Sequence, residues 1–285
     1  MRHAHRVTTN TIAPPAGAGS LQVRDVSVAF GGVAALAGVS LGVDAGEVVG
    51  VIGPNGAGKT TLFNVVCGFV SPQAGTVEFD GRPLRHLRPH RLAALGIART
   101  LQGVGLWPGL TVLENVMAGA RASRRAGLAS ALLGLPRSSR SESALATLAM
   151  RALDELGVAE YAHRLPPTLP YAVQKRVSLA RALAASPRLL LLDEPAAGLS
   201  DEELSSLGDL LARFHEHMGV VLVEHHMDFV MSVCDRVVVL DFGHVIATGV
   251  PDEVKRNPAV AEAYLGEALA PDPEDDSRET DDARR

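Results

Sequence analysis

Eight consecutive residues, GPNGAGKT from Gly53 to Thr60, fit the pattern GxxxxGK[ST], in which backbone N–H groups are wrapped around a phosphate chain. Gly53, Gly56 and Gly58 let the backbone curl closely, and a following helix adds its positive N-terminal end. Lys59 brings a compact cation to the β and γ phosphates, and the Thr60 hydroxyl is the expected Mg²⁺ ligand. Pro54, Asn55, Ala57 and Thr61 complete the stretch expected to line a bound nucleotide. The competing reading is a glycine-rich turn that meets the pattern by accident. Lysine occurs only at positions 59, 175 and 255, which makes that accident the weaker reading. A second candidate group ends the run LLLLDEP, Leu189 to Pro195. Two adjacent acids at the end of a buried strand are what a phosphate-loop enzyme needs: Asp193 to hold Mg²⁺ through water and Glu194 to polarise an attacking water as general base.

The elements that must position these residues follow from hydrophobic spacing. Val48–Ile52 is short, β-branched and apolar, as a buried parallel strand should be, and Thr60–Cys67 can open a helix. Leu189–Leu192, Val220–Val223 and Val237–Leu240 are further short apolar runs separated by helical stretches, which predicts an α/β fold with a parallel sheet covered by helices on both faces. Leu21–Phe30 alternates and reads as a half-exposed antiparallel strand, with Gly31 and Gly32 as its turn and Val39–Val43 as its return. Val77–Phe79 adds a strand ending in a turn at Asp80 and Gly81, giving a small β-rich lobe. Thr111–Leu165 has helix-like spacing with a Gly/Pro/Ser break around Gly134–Ser141, and reads as an inserted helical subdomain.

With 285 residues and 47% hydrophobic content the chain can bury a full core. Its formal charge of −5 is mostly local, because Pro271–Arg285 holds seven acids against three arginines, or −4. The remainder is nearly neutral and offers no nucleic-acid surface. Cys67 and Cys234 sit in apolar runs and read as core thiols, and His215 and His217, two apart on a predicted helix, diverge and make no metal pair. No run reaches the roughly 18 apolar residues of a membrane span or shows a signal-peptide core. Residues 1–19 read as a floppy leader, 20–266 as the folded domain with its helical subdomain at about 103–185, and 267–285 as a floppy acidic tail.

Taken in order, these parts resemble the nucleotide-binding subunit of an ABC transporter over Leu21–Gly266. The resemblance implies a P-loop NTPase core and a role for several isolated residues. Phe30 would stack on adenine, Gln102 in ARTLQ would reach Mg²⁺ and the attacking water, and His225 in LVEHH would grip the γ-phosphate. AGLS, Ala197–Ser200, resembles the loop that touches the partner's site. The phrases IGPNGAGKTTLFNVVCGF, GIARTLQ, LTVLENV, LDEPAAGL, VEHHMDFVM and AYLG are similar to the branched-chain amino acid uptake type. The lipopolysaccharide-export ATPase shares these phrases but is shorter where this chain carries Arg121–Ser143. ATP and Mg²⁺, a second ATPase subunit, transmembrane permease subunits, an extracytoplasmic binding protein reached indirectly and a place at the cytoplasmic face of the membrane are what the resemblance implies.

One family motif departs from its pattern. Where LSGGQ should lead into a helix expected to start near Gln174, the chain has LPYAVQKR, Leu169–Arg176. In this family that signature closes over the ATP held by the other subunit, donating a hydroxyl and backbone N–H groups to the γ-phosphate. Pro170 supplies neither, and Ala172 and Val173 are expected to crowd the surface. At roughly 1.5 to 3 kcal/mol for each hydrogen bond to a charged group, losing two weakens the composite site by about 3 to 6 kcal/mol. The arrangement that reconciles a damaged signature with intact Lys59, Thr60, Gln102, Asp193, Glu194 and His225 is a heterodimer, in which a partner provides a normal signature. A lipopolysaccharide-export-type ATPase and a low-turnover regulatory ATP-binding module are the alternatives.

Overall fold

The computed structural model describes residues 19–85, 87–100, 103–122 and 137–268. Two sheets share the chain. Strands β1 (Leu21–Phe30), β2 (Val33–Val43), β4 (Ala74–Phe79) and β5 (Arg82–Pro83) form an antiparallel sheet in the order β2-β1-β4-β5. Strands β3 (Val48–Ile52), β6 (Ile97–Arg99), β7 (Leu189–Asp193), β8 (Gly219–Val223), β9 (Arg236–Asp241) and β10 (His244–Gly249) form the second, in the order β10-β9-β3-β8-β7-β6. All its pairings are parallel except the antiparallel β9–β10 edge.

The parallel strands read as continuous apolar runs because both faces are covered. Successive side chains alternate between two cores. Val48, Ile52, Leu190, Leu192, Val220, Leu222, Val237 and Val239 pack on the face that meets α3 (Val112–Ala122), α4 (Arg137–Glu155), α5 (Tyr171–Leu183), α6 (Asp201–Phe214) and α7 (Met227–Val233). Val49, Val51, Leu189, Leu191, Val221, Val223, Val238 and Leu240 pack on the other face, against α1 (Lys59–Val66), the short α2 (Leu92–Leu95) and the antiparallel sheet. Two short helices, α8 (Pro251–Lys255) and α9 (Pro258–Ala268), close the described chain.

The strands expected at 21–30, 48–52, 189–192, 220–223 and 237–240 are all present, and both cysteines are buried free thiols. Several boundaries need correction. The return strand begins at Val33, and β6 was not foreseen. Part of the break expected at 134–141 is helix, because α4 begins at Arg137; its buried Leu145, Ala149, Ala152 and Leu153 anchor the helix, and propagation back through polar residues adds one bond per residue. Residues 123–136 and Gln102 lie outside the described residues. Helix α5 begins at Tyr171, not near Gln174. Pro170 is its N-cap, with φ −54° and ψ 150°, a place where a missing N–H costs nothing.

Candidate functional site

The phosphate-type loop joins the end of β3 to α1. Gly53, Gly56 and Gly58 all have positive φ, of 151°, 78° and 103°. Their environments differ. A Cβ on Gly53 would collide with the Leu240 carbonyl oxygen, and one on Gly58 with that of Ala35, whereas one on Gly56 would meet nothing within 4 Å. Two of the three glycines are therefore demanded by the chain's own packing, and Gly56 stands on the open side of the loop. Gly58 caps α1 with its backbone alone, and no acid follows in the first turn, so the positive end of the helix is uncompensated by side chains. Lys59 folds over the loop, its Nζ donating to the carbonyls of Gly53 at 2.6 Å and Pro54 at 2.8 Å. Asn55, Gly56 and Thr60 are exposed, Lys59 and Thr61 half-buried, Pro54 and Ala57 buried.

Asp193 and Glu194 reach the same end of the sheet. Val51 and Asp193 both lie level with Val223, on either side of β8, which puts Asp193 two strands, about 10 Å, from the root of the loop. Asp193 is only 7% exposed. Its Oδ2 accepts from Arg99 Nη2 at 2.8 Å, and its backbone N–H donates to Thr100 Oγ1 at 3.3 Å. Arg99 also donates Nη1 to Asn64 Oδ1 on α1 at 3.1 Å and lies over the rings of Phe63 and Phe69. It thus bolts the carboxylate to the helix that follows the loop. Burial opposes the Arg99 charge, but the hydrogen bond to Asp193 and the nearby Cys67 and Asp193 charges outweigh it, and the Arg99 pKa is raised. Glu194 follows in the left-handed region with φ 48°, a strained conformation for a residue with a Cβ.

The end of β8 contributes the third part. Glu224 is fully buried, and its carboxylate accepts from three backbone N–H groups: Ala196 at 2.6 Å on Oε1, and His225 at 3.1 Å and His226 at 3.4 Å on Oε2. A buried carboxylate needs such compensation. His225 turns outward, its side chain 60% exposed, with Nδ1 3.9 Å from Glu224 Oε2. From α5, Lys175 Nζ donates to the carbonyls of Glu194 at 3.0 Å and Pro195 at 2.8 Å. Burial lowers the Lys175 pKa, against the pull of the Glu224 and Glu194 charges.

The remaining expected residues divide. Phe30, at the end of β1, is 53% exposed rather than part of the core, and so has a face to offer a ligand. Ala172 lines a cavity with Lys175, and Val173 is half-buried against the core. Tyr171 is exposed, its ring 5.5 Å from Lys175 Nζ. Ser200, expected in a partner-facing loop, caps α6, its hydroxyl accepting from Glu203 N–H while Glu203 Oε2 accepts from Ser200 N–H. Arg99, Lys175 and Glu224 were not singled out from sequence. The signal available was that a charge inside an apolar run must find a buried partner.

Beside the site, Asn115 is fully buried and fixes the segment before α3, accepting from Trp107 N–H at 2.8 Å and donating to the carbonyls of Trp107, Leu110 and Thr111. Arg181 donates to the Gly105 carbonyl at 2.7 Å and lies 5.2 Å from the Trp107 ring centroid. Trp107 is left 50% exposed on a pinned segment.

Comparison with known proteins agrees with this arrangement. The ABC transporter family model matches residues 36–197, and the model for the branched-chain amino acid ATP-binding cassette transporter matches residues 244–270. The chain is 40% identical over 250 residues to the high-affinity branched-chain amino acid transport ATP-binding protein BraF of Pseudomonas aeruginosa, spanning 87% of this chain and 98% of that one. Among solved structures, a nucleotide-free ATP-binding cassette from an ABC transporter superimposes with a TM-score of 0.76 at 30% identity, over 87% of this chain and 99% of that one. A dimeric cassette in a post-hydrolysis state bound to ADP and Pi gives 0.67 at 26% identity, over 81% and 98%. With the family model spanning more than half of the chain and the loop, Asp193, Glu194 and His225 gathered at one end of one sheet, the chain belongs to the ATP-binding subunits of ABC transporters, in the branched-chain amino acid uptake type.

Proposed function

We propose that this chain is the ATP-hydrolysing motor of a transporter that takes up branched-chain or other hydrophobic amino acids, with the reaction carried by the residues at the ends of β3, β7 and β8. The observation that supports it most is the convergence of an anion-binding loop with two acids and an exposed histidine across adjacent parallel strands. Lys59 exchanges the carbonyls of Gly53 and Pro54 for the β and γ phosphates. Phe30 stacks on the adenine, His225 contacts the γ-phosphate, and Glu194 takes the proton of the attacking water. The donor set fits Mg²⁺: the Thr60 hydroxyl at the open start of α1 and the Asp193 carboxylate are hard oxygen groups, and Gln102, outside the described residues, adds an amide in this assignment. When bound, Mg²⁺ neutralises the phosphate charge. Arg99 keeps the Asp193 carboxylate oriented throughout.

Among the described residues no helix is long and apolar enough to cross a membrane, which accords with a peripheral subunit held at the cytoplasmic face by permease partners. The pinned segment Gly103–Leu113, with Trp107 half exposed, is the surface we assign to the membrane subunit. Because Pro170 ends a helix start that carries no side-chain cap, we assign the second ATPase subunit as a different chain with its own signature. Closure on ATP and reopening after hydrolysis then drive transport. The test is a pair of substitutions: Lys59→Ala should abolish nucleotide-dependent activity, while Glu194→Gln should retain ATP binding and stop hydrolysis. Equal loss of binding in both contradicts the roles.

A further inference from the structure

The turn Glu194-Pro195-Ala196 is held from two sides by charged side chains that belong to neither the loop nor the two acids. Lys175 reaches from α5 to the carbonyls of residues 194 and 195, and Glu224 reaches from the end of β8 to the N–H of residue 196. Of the two acids whose charge supports the Lys175 ammonium against burial, Glu224 acts more strongly than Glu194. Between them the backbone of Glu194 is kept at φ 48°, which an unsupported glutamate rarely adopts. The grip extends at both ends. Glu224 also holds the N–H groups of His225 and His226, and the Tyr171 ring, one helical turn before Lys175, lies where a Cβ on Gly198 would meet it at 3.0 Å.

We propose that Lys175 is a positioning residue for hydrolysis, acting with Glu224 to hold the Glu194 carboxylate at its working orientation relative to His225. The inference rests on Glu194 being the general base. A backbone that is strained and clamped by one buried and one half-buried charge has one arrangement in which all three hydrogen bonds form, whereas an unclamped turn relaxes φ at Glu194 and swings its side chain. Lysine provides this as a compact donor to two carbonyls at once, and arginine, longer but equally cationic, can replace it in part.

The experiment uses the full chain purified with its transporter partners. For Lys175→Met, kcat should fall about tenfold or more while the ATP dissociation constant, measured without added Mg²⁺, stays within about threefold. Lys175→Arg should restore about a third or more of the lost kcat. Combining Lys175→Met with Glu224→Gln should cost less than the product of the separate losses, because both act through one turn. Thermal melting of each variant accompanies the kinetics. Unchanged kcat in Lys175→Met overturns the proposal, and so does a parallel loss of kcat, ATP binding and melting temperature with no rescue by arginine, which marks a mere strut. Glu194→Gln separates the two levels: if it still hydrolyses ATP, the base assignment fails and this inference with it; if it does not while Lys175→Met is fully active, only the role of Lys175 is lost.

Discussion

In the mechanism we propose, the loop at residues 53–61 and the helix start at residues 169–176 both meet ATP, yet one keeps its family pattern and the other does not. The physical difference lies in what else each must do. Gly53 and Gly58 are pressed against the carbonyls of Leu240 and Ala35, so substitution there would break this chain's own packing whether or not it turned over ATP. The helix start has no comparable demand. Its fixed points are Gln174, which donates to the Leu169 carbonyl, Lys175, and Val173 against the core, and none of them needs a serine or glycine at 170–172. Retention of the loop glycines is therefore weak testimony to catalysis. Lys59, Thr60 and His225 are stronger, because half-buried or exposed side chains of those types are not dictated by packing.

The largest effect belongs to Lys59→Ala, for which nucleotide-dependent ATPase activity should disappear and the melting temperature stay close to that of the parent, since the lysine is half-buried and its bonds to the Gly53 and Pro54 carbonyls stay within its own loop. Gly53→Ala is expected to do the opposite and lower the melting temperature first. At Phe30 the loss should be graded: Phe30→Ala weakens ATP binding by about 1 to 3 kcal/mol and Phe30→Tyr by little, as read by titration with a fluorescent ATP analogue. Unchanged affinity in Phe30→Ala would remove the ring from the nucleotide. The smallest effect lies in the core. Burial pushes the Cys234 thiol up to about 12, with Asp235 and Glu224 adding to it, and burial also raises Cys67 against the opposing Arg99. A raised thiol pKa means fewer thiolates, about one in ten thousand for Cys234 at pH 8. Iodoacetamide should label neither cysteine in the native protein at that pH and both after denaturation; rapid native labelling would mean that the core opens.

Much of the fold was legible because buried parallel strands leave short β-branched runs such as VVGVI and LLLL, and the loop leaves glycines at fixed spacing. The three residues of β6 were not, because Ile97–Arg99 is too short to show a period and ends in an arginine. The start of α5 was placed too late because the helix was expected to follow the signature stretch, whereas Pro170 is its N-cap and the helix takes in Tyr171–Val173. At the site, residues with a defining pattern were found and those defined only by partners were not. Arg99, Lys175 and Glu224 carry their meaning in hydrogen bonds to residues 94, 19 or 20, and 28 positions away, which no local spacing reveals.

A competent catalytic half joined to a deficient signature makes the two ATP sites of the pair unequal. The decisive measurement is ATP turnover of the chain purified with its native transporter and, separately, by itself. In the complex a second ATPase subunit should copurify, Glu194→Gln should remove most of the activity, and the equivalent change in the partner should remove little. The chain by itself should be slow, and Pro170→Ser with Ala172→Gly and Val173→Gln should raise its rate. If the complex contains this ATPase alone and hydrolyses at an ordinary transporter rate, on the order of 1 per second or more, Pro170 is harmless and the account of an unequal pair is wrong.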